Sequence, residues 1–146
     1  MQYPVQLRVR GLHIDYFDHV NNCQYLEYLE EARWARYHDT FVGMMEKGYS
    51  WPIVNININF RKPAFLGDVL EVTAELVSFG NTSCILNQEV RRLPDRELLV
   101  DAKVTCVIVD NKTGKPVKIE GELLEAISSQ RPVEGDHVGD PATAMA

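Results

Sequence analysis

The sequence predicts an α+β fold, with one five-stranded antiparallel sheet laid over a single long helix. Three observations predict it. A strand-like segment comes first and stands alone. A long stretch follows with apolar residues at three- and four-residue spacing. Four segments of alternating pattern come last, and the turns between them are too short to hold crossover helices. Strand, helix, then four hairpin-linked strands gives antiparallel neighbours with the helix on one face.

Taken in order, Val5, Leu7 and Val9 alternate with Gln6, Arg8 and Arg10, a strand with one apolar face that ends at Gly11. A polar loop follows, reading His13-Ile14-Asp15-Tyr16-Phe17-Asp18-His19-Val20. Asn21 and Asn22 then suit a helix start, because an amide oxygen can take an orphan N–H of the first turn. Tyr25, Leu29, Ala32 and Ala35 form the helix stripe, and Leu26, Tyr37 and Phe41 widen it. A stripe that broad predicts a helix enclosed by the fold. Gly43 and Gly48 are candidate stops.

After Trp51 and Pro52 the period changes to two. Val54, Ile56, Ile58 and Phe60 are expected in the core, and Asn55, Asn57 and Asn59 form an outer row of amides. Pro63 and Gly67 mark a turn. Leu70, Val72, Ala74 and Leu76 alternate with Glu71, Thr73 and Glu75 in the next strand, up to Gly80-Asn81. Residues 84–92 form its hairpin partner. Beyond the Leu93–Arg96 turn, Leu98 to Ile108 alternate in a long last strand. Asn111 to Pro116 reads as a turn and Glu120 to Ser128 as a short helix. The composition of 129–146, rich in Pro, Gly, Asp and small residues, predicts a disordered tail after a domain spanning 1–128. The outer sheet face still carries Val69, Val77, Val107 and Val109, which favours pairing of subunits.

Composition narrows the function. A chain of 146 residues suits one domain with one core. A net charge of −6 argues against general nucleic-acid binding. No run is apolar enough to span a membrane, and the first residues have no apolar signal-peptide region. The three cysteines, Cys23, Cys84 and Cys106, are odd in number and widely spaced, which fits a reducing cytoplasm. The loop carries the chemical signal. A carboxylate ahead of free helix amides can attack a carbonyl carbon, or deprotonate a water beside it, while the amides polarise the oxygen.

Asp15, then His19-Val20-Asn21-Asn22 opening the long helix, resembles the signature of the hotdog-fold thioesterases of the 4-hydroxybenzoyl-coenzyme A (CoA) thioesterase group. Asp18 stands where most members have Gly, and His13 where many have an earlier Asp. The Arg10-Gly11 start, the run from Leu29 to Trp34, and the strand Val54 to Asn59 followed by Phe60-Arg61 are similar to the long-chain acyl-CoA thioesterases of that group. Gly121-Glu122-Leu123 matches as well, so the resemblance spans about residues 5–127. It implies a hotdog fold, hydrolysis of acyl-CoA to fatty acid and CoA, no cofactor, and a homodimer or homotetramer.

The resemblance also implies roles. Asp15 would be the nucleophile or the general base for water; its ordinary alternative is an Asx-turn. Asn22 would offer its backbone N–H to the thioester oxygen, alongside plain capping. His19 would orient water or substrate, or hydrogen-bond within the loop, the commoner role. Tyr25 would line the acyl channel or simply pack. CoA phosphates call for cations at the pocket mouth, and Arg61, Lys62, Arg91 and Arg92 sit at strand ends. Reading His13, Asp15 and His19 as metal ligands has no second cluster behind it, and thioester hydrolysis needs no metal. The competing functions are hydrolysis of acyl-carrier-protein or aromatic acyl-CoA thioesters, and non-catalytic acyl-CoA binding. A dehydratase would want a helix histidine near Glu27, Glu30 or Glu31, and none is there.

Overall fold

The structure is a computed structural model that describes residues 2–128; the expected tail at 129–146 lies outside the described residues. The elements are β1 (Val5–Arg8), α1 (Asn22–Glu46), β2 (Tyr49–Ser50), β3 (Ile53–Phe60), β4 (Val69–Phe79), β5 (Ser83–Arg92), β6 (Glu97–Val107), β7 (Val109–Asp110), β8 (Lys115–Pro116) and α2 (Gly121–Ser128). A five-stranded antiparallel sheet runs in the order β1-β4-β5-β6-β3. The hotdog plan, one long helix against one antiparallel sheet, is therefore the observed one. A second sheet of β2, β7 and β8 was not expected. Two-residue strands carry no readable alternation, so a sequence pattern gives them no signal.

Register sets which side chains meet α1. Val72 pairs with Val90, Ala74 with Gln88, and Leu76 with Leu86, and the same rows continue to Val100, Ala102 and Val104 on β6. The apolar members of these rows form the core with Leu29 and Ala32 of the helix. Gln88 is buried among them, with its amide hydrogen-bonded to Arg33, Leu29 and Thr73. Each large aliphatic side chain fully buried there contributes about 1.5–3 kcal/mol. Tyrosine hydroxyls fasten the helix to backbone that the ladders leave unpaired. The Tyr25 hydroxyl accepts the Ala64 N–H at 3.1 Å, and the Tyr37 hydroxyl accepts the Leu76 N–H at 2.6 Å. Leu76 lies at the irregularity in the β4–β5 ladder, and Tyr37 itself has non-helical angles that kink α1. The helix runs through Gly43 and stops before Gly48, whose φ of 86° lies in the left-handed region that glycine adopts freely.

Three expectations change. The helix is not enclosed: Tyr25, Tyr28, Leu29, Ala32, Arg33, Tyr37 and Met44 are buried, whereas Leu26 and the acidic face of Glu27, Glu30 and Glu31 are exposed. One five-stranded sheet covers one side of a helix only. Val54 and Phe60 are not core residues, being 57% and 46% exposed. Their strand β3 is a sheet edge, and a register shift between Ile53 and Asn55 turns Val54 outward. The outer face of β4 is not simply solvated. Glu71, Thr73 and Glu75 are buried, with Glu71 paired to Arg96 at 2.7 Å and Glu75 to Arg36 at 3.5 Å. Buried carboxylates are tolerable only with such partners.

Candidate active site

The loop between β1 and α1 is built by local hydrogen bonds. Ile14 and Val20 form an isolated antiparallel bridge, and the Asp15 N–H donates to the His19 carbonyl at 3.2 Å. Within that narrow loop the chain turns at Asp18, whose φ is 65° and whose N–H reaches the Asp15 carbonyl at 3.1 Å. Asp18 thus takes the left-handed conformation that glycine would take at this position, and aspartate tolerates it better than most residues. The Val20 N–H is held by the Ala64 carbonyl and the Asn21 N–H by the His13 carbonyl, both at 2.9 Å, which ties the loop to the β3–β4 connection and to its own start.

Asn21, not Asn22, is the N-cap. Its side-chain oxygen accepts the Cys23 N–H at 2.8 Å. Asn22 is the first helical residue, and its backbone N–H has no partner among the described residues. That amide, at the positive end of a 25-residue helix, is free to meet an anionic oxygen. An open cleft of about 210 Å³ lies beside it, lined by His19, Val20, Asn22, Tyr25, Phe60, Arg61, Lys62 and Pro63. Five of the eight expected site residues therefore meet in one cleft. The His19 ring is stacked with Phe17 at 6.1 Å between centroids and edge-on to Phe65 at 6.4 Å. Its ring nitrogens have no protein partner among the described residues; the loop uses its carbonyl instead. Burial pushes the Tyr25 phenol upward, so it stays protonated at the cleft floor.

Asp15 is half-buried in the same loop, though not among the cleft-lining residues. One carboxylate oxygen accepts the Phe17 N–H at 2.9 Å, an Asx-turn. The contact orients the group and leaves its second oxygen for other work. Behind it, His13 is buried, and its Nδ1 accepts the Arg10 N–H at 3.1 Å and meets the Tyr28 hydroxyl at 2.8 Å. Burial first, then the Arg10 charge, holds the His13 pKa below the ordinary histidine value. A neutral His13 with Nδ1 as acceptor thus pins the loop to α1. Its buried position was hidden in the sequence, where it read only as a loop histidine.

The residues 9–127 match the family model described as "Thioesterase-like superfamily". The chain belongs to that superfamily. Over 124 residues this thioesterase is 44% identical to the long-chain acyl-CoA thioesterase FadM of Escherichia coli, covering 84% of this chain and 94% of the relative. Its fold is similar to that of YbaW, a probable thioesterase from Escherichia coli, at a TM-score of 0.83 and 42% identity, covering 88% of this chain and 98% of that one. A Thermus thermophilus thioesterase in complex with coenzyme A and Zn is similar at a TM-score of 0.71 and 26% identity, over 88% and 97% of the two chains. No cluster of three metal-ligating side chains occurs among the described residues of this thioesterase.

The four expected cations separate. Arg61 and Lys62 lie on the cleft wall, with Arg61 paired to Asp101 and Lys62 to Glu97 at 3.5 Å. Burial alone would raise the Asp101 carboxyl, but hydrogen bonds from Arg61 and Asn59 hold it below its ordinary value. Arg91 and Arg92 are not among the cleft-lining residues, although Arg92 lies next to one of them, Pro63. Arg91 is buried against Glu89 at 3.1 Å, and Arg92 bridges Asp68 and Glu97 while donating to the Pro63 carbonyl. Neighbouring acids take up both side chains, just past a ladder irregularity between Val90 and Arg91. Phe60 and Pro63, which the sequence assigns to core and turn, line the cleft instead.

Proposed function

We propose that this thioesterase hydrolyses long-chain acyl-CoA to a free fatty acid and CoA in the cleft at the start of α1. The observation that carries the reading is the convergence of the unpartnered Asn22 N–H, His19, Tyr25, Arg61 and Lys62 on one opening beside the Asp15 loop. The 44% identity to a long-chain acyl-CoA thioesterase supports the substrate class. Asp15 acts as nucleophile on the thioester carbon or as the base that activates water. The Asn22 amide receives the negative charge that develops on the carbonyl oxygen. Arg61 and Lys62 face the CoA phosphates, each already oriented by a carboxylate.

The acyl chain follows the inner face of β3. Phe60, Ile58, Ile56 and Ile53 lead from the cleft towards Trp51 and Phe41, all only part-covered. Eight residues at ~3.3 Å each make a track of roughly 26 Å, ample for an extended long chain. As the uncharged edge of the sheet, β3 also offers unpaired backbone groups, so a second copy of the chain covers it and the working unit is a homo-oligomer in the cytoplasm. Among the described residues no helix is long and apolar enough to cross a membrane.

The deciding experiment is release of free CoA thiol from acyl-CoAs of increasing length, an aryl-CoA and an acyl-carrier-protein thioester. Turnover should rise with chain length and be weak on the aryl and carrier substrates. Background rates throughout would replace hydrolysis with acyl-CoA binding alone.

A further inference from the structure

Two of the three cysteines face each other. Cys84 on β5 is the direct register partner of Cys106 on β6, and both are buried as free thiols, 2% and 6% exposed. Opposed residues on antiparallel neighbours have Cα atoms ~4.5–5.5 Å apart. A disulfide spans about 4.4–6.8 Å between Cα atoms. The Cys106 thiol also lies 3.8 Å from the Cys84 carbonyl. Both sulfurs line a narrow apolar slot of about 30 Å³ at the far end of the β3 track, among Tyr37, Phe41, Trp51 and Ile108.

A second observation singles this pair out from ordinary core cysteines. Arg33 of α1, 8% exposed, lines the same slot. Its Nη1 donates to Gln88 Oε1 at 2.9 Å, yet no carboxylate pairs with it among the described residues. A buried guanidinium stays charged and is costly without an anion. Burial opposes the Arg33 charge, and Glu30 on the exposed face of α1 and then the Cys106 thiol in the slot support it. The Cys84 thiol and Arg33 in turn favour Cys106 as thiolate, while its partner sulfur and burial keep Cys84 protonated.

We propose that Cys84 and Cys106 are a paired-thiol modification site, which a peroxide closes into a disulfide with Arg33 supporting the attacking thiolate. The Cys106 sulfur attacks one peroxide oxygen. The O–O bond breaks, and the departing hydroxide takes up the proton that Cys106 had released, leaving as water. The Cys84 sulfur then displaces hydroxide from the resulting sulfenic acid, and its own proton completes the second water. Two thiols and one peroxide give one disulfide and two waters; the sulfurs are oxidised and the peroxide reduced.

The test uses full-length protein carrying Cys23→Ser, so that the exposed thiol does not interfere. The folded protein is treated with hydrogen peroxide, alkylated and mapped by peptide mass. A Cys84–Cys106 cross-link that dithiothreitol reverses is the expected result. In Cys84→Ser, Cys106 should advance to sulfinic acid with no cross-link. Arg33→Met should slow cross-linking about tenfold, and Arg33→Lys should restore most of the rate. Far-ultraviolet circular dichroism confirms that each variant is folded, and the Lys variant carries the test of charge if Met does not fold. Two thiols that remain reduced, or that oxidise separately, overturn the proposal. An unchanged rate in folded Arg33→Met, or, where Met does not fold, equal rates in Arg33→Lys and a neutral Arg33→Gln, removes Arg33 from it. The consequence for turnover rests on the acyl-track reading: the oxidised protein should lose long-chain hydrolysis several-fold more than short-chain hydrolysis. Cross-linking without that difference would retire the track and leave the thiol pair standing.

Discussion

The two ends of α1 are built by opposite means. At its start, geometry is held by hydrogen bonds: the Asn21 cap, the Asp15 to Phe17 turn, the His13 to Tyr28 contact. Apart from the buried His13–Tyr28 contact, the polar groups there stay at least part-exposed, so that a substrate can replace their water. Towards its end, rings do the work. Trp34, Phe41 and Trp51 pack together, with Phe41 and Trp51 stacked at 4.5 Å and 13°. The first end can be disabled chemically with little loss of stability, since its key groups bury little area. The second end should behave the other way, losing stability before chemistry.

The sharpest way to break that contrast is Asp15→Asn. The amide oxygen still accepts the Phe17 N–H, so the turn survives and only the charge goes. Palmitoyl-CoA turnover should fall by roughly 10³-fold with the melting temperature unchanged. Retained turnover would remove Asp15 from the chemistry. Next comes Trp51→Ala at the other end. Loss of a half-buried ring stacked on Phe41 should cost about 2–4 kcal/mol in denaturant unfolding. It should also open the end of the acyl track, so that the preferred chain lengthens while rates on short acyl-CoAs hold. An equal loss at every length would mean that Trp51 acts only through stability.

A smaller effect tests the loop backbone. Asp18→Gly should change stability by less than about 0.5 kcal/mol, because relief of the left-handed conformation is offset by a freer unfolded chain. Asp18→Ala, which has neither advantage, should cost about 1 kcal/mol and lower turnover by disturbing the loop that carries Asp15. Equal stability of the Gly and Ala variants would show that the turn at Asp18 is not strained.

How far the sequence could be read follows the same division. The loop was legible because its chemistry is local: Asp15, His19 and the Asn pair lie within eight residues, and the helix start that gives them meaning follows at once. The long strands and α1 were legible from period alone. What escaped depends on contacts distant in the chain. Phe60 alternates like a core residue, and only its place on the edge strand exposes it on the cleft wall. Arg91 and Arg92 are surface-like in pattern, yet Glu89, Asp68 and Glu97 claim them. Arg33 and the Cys84–Cys106 pairing need the register of β5 on β6 and the helix across them.

The smallest predicted effect concerns His13 and links the hydrogen-bonded end to pH. Its folded-state pKa lies below the ordinary value of 6.5, because burial and then Arg10 oppose the charged form, with Glu27 opposing them weakly. The unfolded chain therefore binds the proton more readily than the folded one. Stability is fully present above 6.5 and is lost as pH falls through the depressed folded value. Protonated Nδ1 cannot accept the Arg10 N–H, so that tie of the loop is lost, while the Tyr28 contact reverses, with Nδ1–H donating to the hydroxyl oxygen. Thermal melts of the wild type should fall over this acid window more steeply than those of His13→Asn, whose amide does not titrate. Parallel curves for the two proteins would mean that His13 is neutral for reasons that do not bear on folding, and the loop would then owe its place to the Asn21 and Val20 backbone bonds alone.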